Sequence, residues 1–140
     1  MFDIKAIRDN PEAFDTGMAR RGLGPQSPEL LAIDSERRAA IAGAQAVQTE
    51  RNARSKAIGA AKAKGEDALS LIAEVAALKT RLQEGEEAAK ALEAKLYEAL
   101  ATLPNIPADD VPDGPDESAN IEVRKVGEPK AFDFEPRQHF

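Results

Sequence analysis

The sequence predicts an all-α protein: a long antiparallel two-helix coiled coil, with two short helices before it and an extended tail after it that contains one short strand. Three observations carry this. No proline interrupts the chain between Pro28 and Pro104. A glycine, Gly65, falls near the middle of that stretch. Beyond it, Ala68, Leu71, Val75, Leu78, Leu82, Gly85, Ala89, Leu92, Leu96, Ala99 and Leu103 alternate spacings of three and four, the period of a left-handed coiled coil.

Each element has its own signals. Two short helices are expected within residues 3–21. Asp3 can cap the first, and Asn10 before Pro11 opens the second, because proline at a first helical position gives up an N–H that has no partner there anyway. Gly22, Gly24 and Pro25 then break the chain, and Ser27-Pro28-Glu29 restarts it by the same logic. The long helices are predicted over about 29–64 and 68–103, each about 54 Å long at 1.5 Å per residue. Gly65 suits a left-handed C-cap and Asp67 an N-cap for the following helix. A short turn between helices of equal length makes them antiparallel neighbours.

The first long helix is less regular. Leu30, Ile33, Ile41, Ala44, Val47 and Ile58 supply apolar positions, but Arg37, Arg51, Asn52 and Ser55 fall near the seam. The arm therefore spans residues 1–103. Residues 104–140 differ in composition: LPNIPADDVPDGPDESAN is proline-rich and acidic and reads as a linker, and NIEVRKVG alternates as a strand would, without an obvious partner. Phe132, Phe134, His139 and Phe140 follow, and such residues ordinarily find something to pack against.

Composition excludes several functions. The chain is 140 residues, 4% aromatic, with no Trp, one Tyr and no cysteine, which leaves little material for a compact core and no thiolate chemistry. MFDIKAIRDNPEAF intersperses acids and is no signal peptide, and no run approaches the roughly 20 apolar residues of a membrane span. A cytoplasmic, soluble protein without membrane attachment is expected. His139 reads as a packing residue, no Gly-rich phosphate loop is present, and the acid pairs Asp109-Asp110 and Asp116-Glu117 lie in a linker that gives catalytic carboxylates no fixed geometry. No catalytic residue, metal site or cofactor site is expected in the chain.

The charge is unevenly placed. The net charge is −6, yet the span from Glu50 to Arg81 holds seven cations and four acids, which leaves +3 there and −9 elsewhere. Folding the hairpin about residue 66 brings position i opposite roughly 132 − i, so that Arg81 would stand level with Arg51. A basic zone on the outer half of an otherwise acidic arm suits a phosphate backbone, met through position and shape rather than base sequence. The competing reading is a solvated charged face of a long hairpin. Arg37 and Arg38 read as packing or salt-bridging groups, and Arg20 and Arg21 as cations at a helix C-terminus.

Several strings resemble the N-terminal region of bacterial seryl-tRNA synthetases: MFDIKAIRDNPEAF, then ERNARSKAIG, then LPNIP, NIEVRKVGEP and FDFEPRQH, in the family's order and spacing over essentially all 140 residues. The resemblance implies a homodimeric class II enzyme that joins serine to tRNA(Ser) with ATP and magnesium. In that family the helical arm grips the long variable arm and the elbow of the tRNA. The class II motifs and most of the dimer interface belong downstream, so residues 104–140 would be a linker and the start of a catalytic domain, and this chain alone should not activate serine. Carried onto these residues, the motif makes Arg51, Asn52, Ser55 and Lys56 leading tRNA-binding candidates. Arg54, Lys62, Lys64, Lys79 and Arg81 join them on charge placement. The alternative function is a protein-interaction coiled coil whose imperfect first-helix seam recruits a further helix.

Overall fold

In a computed structural model, which describes residues 2–114 and 116–139, four α-helices follow in order: α1 (Ile4–Asp9), α2 (Pro11–Ala19), α3 (Ser27–Lys64) and α4 (Leu69–Ala101). Phe140 lies outside the described residues, as do Met1 and Pro115. The chain divides into two compact units, residues 1–107 and 108–140.

The first unit is the expected hairpin with its short N-terminal helices. At the N-terminus, the Asp3 carboxylate accepts from the Lys5 N–H (2.9 Å) and the Asn10 side chain accepts from the Ala13 N–H (3.1 Å), as their residue types predict. The start of α3 is made differently. Ser27 is not its own helix's cap but lies inside α3, buried, with Gln26 at the cap position and no cap bond from the Gln26 side chain. The caps come from α2: Asp15 accepts the N–H groups of Gln26 and Ser27, both at 2.9 Å, and the Ser27 hydroxyl at 2.6 Å. One carboxylate thus satisfies donors that a helix start leaves orphaned and ties α2 to α3. Burial pushes the Asp15 carboxyl up, but those three hydrogen bonds outweigh it and hold the group below the usual carboxylate range.

The hairpin's base is its best core. Ile7, Phe14 and Met18 from α1 and α2 are buried with Leu30 and Ile33 of α3 and Leu96 and Leu100 of α4, and the Phe2 ring meets Phe14 edge-on at 5.1 Å. Beneath this layer Asp34 is only 2% exposed. It accepts Arg8 Nε at 3.1 Å and Nη2 at 2.7 Å, and Arg37 Nη2 at 3.4 Å. Arg37 is therefore the salt-bridging group anticipated, whereas Arg38 is exposed and has no ion pair among the described residues. Arg20 and Arg21 do more than complement a helix dipole. Arg21 Nε donates to the Asn105 carbonyl at 2.8 Å and Arg20 Nη1 to that of Pro107 at 3.4 Å, fastening the segment after α4 to the base.

Every residue of the predicted α4 seam, from Ala68 to Leu103, is buried or half-buried. On α3, Arg37 and Arg51 are half-buried seam residues as expected, but Asn52 and Ser55 are exposed. The turn closes at Gly65, whose φ of 74° is left-handed, with Gly65 N–H bonded to Lys62 O (3.1 Å) and Glu66 N–H to Ala61 O (3.0 Å). This pair of bonds is the Schellman arrangement that glycine permits. Asp67 accepts the Leu69 N–H at 2.9 Å, although α4 begins one residue later than predicted.

The second unit corrects the sequence reading. Residues 121–126 form no strand, and Ile121, Val123 and Val126 are exposed. The alternating pattern is present, but a strand needs a paired edge to satisfy its backbone, and no described segment supplies one. The regular piece among the described residues here is a single 3-10 turn, Glu117–Ala119, where Asp116 accepts the Ser118 N–H. Those bonds from Ser118, side chain first and backbone second, hold the Asp116 carboxyl below its ordinary range. Phe132 and Phe134 stay largely exposed, packing chiefly on each other with ring centroids 5.1 Å apart.

Candidate nucleic-acid interface

The outer half of the hairpin presents the cations that the sequence singled out, on two helices held in one register. That register differs from the expected one. A Cβ at Gly85 would lie 3.4 Å from that of Ala44, and Arg54 Nη1 is 3.2 Å from Glu74 Oε2, so residue i stands level with about 129 − i. The difference arises at the turn. The Gly65 motif reverses the chain directly after Lys64, and the non-helical residues 66–68 all fall on the α4 side. Arg81 is consequently level with about Gln48, not Arg51, and Lys79 is level with about Glu50.

Arg51, level with about Leu78, is half-buried on the seam. An arginine there lays its aliphatic stem along the interface and carries its guanidinium out to the edge. Lys56, Lys62, Lys64, Lys79 and Arg81 are exposed. Among the described residues none of these six cations makes an ion pair within 4.0 Å. Lys62 and Lys64 belong to the last turn of α3, where exposed carbonyls also favour positive charge. The structure thus leaves most of the basic zone open to an outside anion.

The remaining candidates behave differently. Asn52 Oδ1 accepts a bond from Gln48 Nε2 at 3.0 Å, which leaves its amide N–H groups as the outward-facing chemistry. Ser55 is exposed and only a hydroxyl donor or acceptor is available there. Arg54 is the exception among the cations, paired with Glu74 across the hairpin. Charge counting registered Glu74 as one of four acids in the span; only the register shows that it faces Arg54. Two more residues escaped the sequence reading: Leu69, 72% exposed, and Ile72, 43% exposed, near the turn. Both lie one position off the heptad seam, a signal in the sequence that could have shown them.

No group of three or more His, Cys, Asp or Glu side chains among the described residues could hold a metal ion. Among the same residues no helix is long and apolar enough to cross a membrane.

A long helical hairpin with a charged outer half and a small helical base defines a coiled-coil arm. Comparison with known proteins gives the family. The family model of the seryl-tRNA synthetase N-terminal domain matches residues 1–107, the same span as the first compact unit, and the chain belongs to that family. It is 54% identical over 142 residues to a serine–tRNA ligase of Parvibaculum lavamentivorans, covering 100% of this chain and 33% of the relative. It is 55% identical over 141 residues to one of Sphingopyxis alaskensis, covering 99% and 33%. The crystal structure of seryl-tRNA synthetase from Pyrococcus horikoshii complexed with ATP superposes with a TM-score of 0.81 at 34% identity, over 91% of this chain and 29% of that one. The chain spans about a third of the length of these relatives.

Proposed function

We propose that the outer half of the hairpin binds tRNA(Ser), gripping its long variable arm and elbow through backbone contacts and shape, as part of an enzyme that attaches serine to tRNA with ATP and magnesium. The observation that carries this reading is the set of cations at Arg51, Lys56, Lys62, Lys64, Lys79 and Arg81, without ion pairs among the described residues, on both helices of a chain of this family. Phosphate oxygens accept from lysine as from a point charge and from arginine through its fork. Asn52 and Ser55 add neutral donors on the same stretch of α3. We assign no catalytic step to these residues. Homodimerisation and a cytoplasmic location are part of the same proposal, the first resting on the resemblance.

Filter binding at low salt tests it, using transcripts that differ only in the length of the variable arm. Preference for the long arm, falling steeply with salt, is the expected result. Equal affinity for both transcripts would remove specificity from this arm. A second reading, a coiled-coil docking module, is favoured by a groove lined by Ile41, Ala44, Leu82 and Ala89 between the helices of the inner half. Capture of a partner helix by that groove, with no RNA binding at low salt, would select it.

A further inference from the structure

Among the described residues, Glu74 is the one acid of the outer half that is paired with a cation the sequence nominates for RNA binding, Arg54. Its Oε2 lies 3.2 Å from Arg54 Nη1, and the two side chains are 42% and 45% exposed, so the pair spans the hairpin at its surface. Among the described residues Arg54 has no other partner. Nη1 is the guanidinium nitrogen on the side of Cδ; the carboxylate beside it forms an ion pair without a hydrogen bond, and the fork formed by Nε–H and Nη2–H bonds no described group. That fork is the edge that takes a phosphate in two parallel hydrogen bonds.

We propose that Glu74 is a specificity-determining residue of the RNA interface: it fixes which edge of Arg54 receives phosphate and repels phosphates that approach from any other side. The inference rests on the RNA-binding reading above.

Two consequences follow from charge. A phosphate brought to the open fork keeps the guanidinium between itself and Glu74. One arriving on the α4 side meets the carboxylate directly. A like charge about 6 Å away weakens binding roughly threefold at a water-like dielectric, and more at the lower effective dielectric of a protein surface. The attraction within an exposed pair is of similar or smaller size, so any RNA that must pull Arg54 off Glu74 loses that as well. An RNA whose shape places a phosphate at the fork loses neither. Glu74 therefore lowers affinity for ill-fitting RNA more than for the fitting one.

The experiment uses the 140-residue chain with Glu74→Gln, which keeps the side chain's shape and removes its charge. Fluorescence anisotropy is read with a long-variable-arm tRNA(Ser) transcript and with the same transcript carrying a shortened variable arm. The variant should bind the short-arm transcript more tightly and the long-arm transcript about as tightly as the wild type, so that the long-to-short affinity ratio falls by about threefold or more. In an Arg54→Lys background, which keeps the charge and loses the fork, Glu74→Gln should leave the ratio unchanged. Circular dichroism melts confirm that the variants fold. A ratio unaltered by Glu74→Gln, or weaker binding of both transcripts, overturns the role of Glu74 while the RNA-binding reading stands. Absence of salt-sensitive binding by the wild-type chain overturns both.

Discussion

Replacing Asp34 with alanine should loosen the base of the arm, and the size of the effect can be worked from its surroundings. The Asp34 side chain is 3% exposed, while its partners Arg8 and Arg37 are 36% and 23% exposed. Removing one member of a fully buried pair costs about 3–5 kcal/mol, because the partner charge is stranded. Here both arginines can partly rehydrate, and the Arg37 bond at 3.4 Å is long. Arg37 Nε is already buried without a partner, so that cost exists in the wild type and is not added by the change. Roughly half the buried value, about 1.5–2.5 kcal/mol, is expected, which corresponds to a fall of about 6–15 °C in Tm for a unit of this size. Asp34→Asn retains an acceptor for Arg8 and should cost less.

Urea and thermal unfolding followed by circular dichroism measure this, with Arg8→Ala and the Asp34→Ala/Arg8→Ala double variant completing a cycle. A coupling energy of about 1 kcal/mol or more is expected for groups sharing two hydrogen bonds. A Tm unchanged in Asp34→Ala, or a coupling near zero, would show that the network contributes nothing and that the apolar layer alone fixes α1 on α3.

Other outcomes follow from single sites. The Asp15 carboxyl is depressed in the folded state, so its contribution is complete above its ordinary value of 3.8 and is lost as pH falls through the lower folded value; stability of Asp15→Asn, measured by urea titration at about pH 5 and pH 3, should fall less steeply over that range than that of wild type. Gly65→Ala meets no atom within 4 Å, so its cost is purely that of a left-handed φ, about 1 kcal/mol, visible as faster amide exchange in the last turn of α3. Reversing charge at Lys62 and Lys64 should weaken RNA binding by about 1 kcal/mol or more for each true phosphate contact and flatten the salt slope, with only a small fall in Tm because the last turn of α3 favours positive charge.

Local rules make most of the arm legible in the sequence. The α4 seam can be read because one repeating apolar stripe has a single way to be buried, and the caps at Asp3, Asn10 and Gly65 because each residue type answers a backbone need within its own turn. What escapes involves partners distant in sequence. Asp15 capping α3, Arg21 holding the Asn105 carbonyl, and the Arg8–Asp34 pair join elements whose placement no local pattern fixes. The helix register differs by about three positions from the expected one because it depends on which side of Gly65 the extra turn residues lie. That difference moves Arg81 away from Arg51 and leaves Arg54 facing Glu74. The strand at 121–126 fails for a related reason: alternation shows that a segment can pair, and pairing needs a second strand.

The central claim is that RNA lies on the outer half of the hairpin. Amide hydrogen exchange of the 140-residue chain, with and without a long-variable-arm tRNA(Ser) transcript at low salt, tests it residue by residue. Added protection should be confined to the flanks of the turn, within residues 50–81, with the base around Ile7, Phe14 and Leu100 unchanged. Protection centred on the inner groove at Ile41 and Leu82, or no protection at a concentration where the RNA is bound, would contradict it.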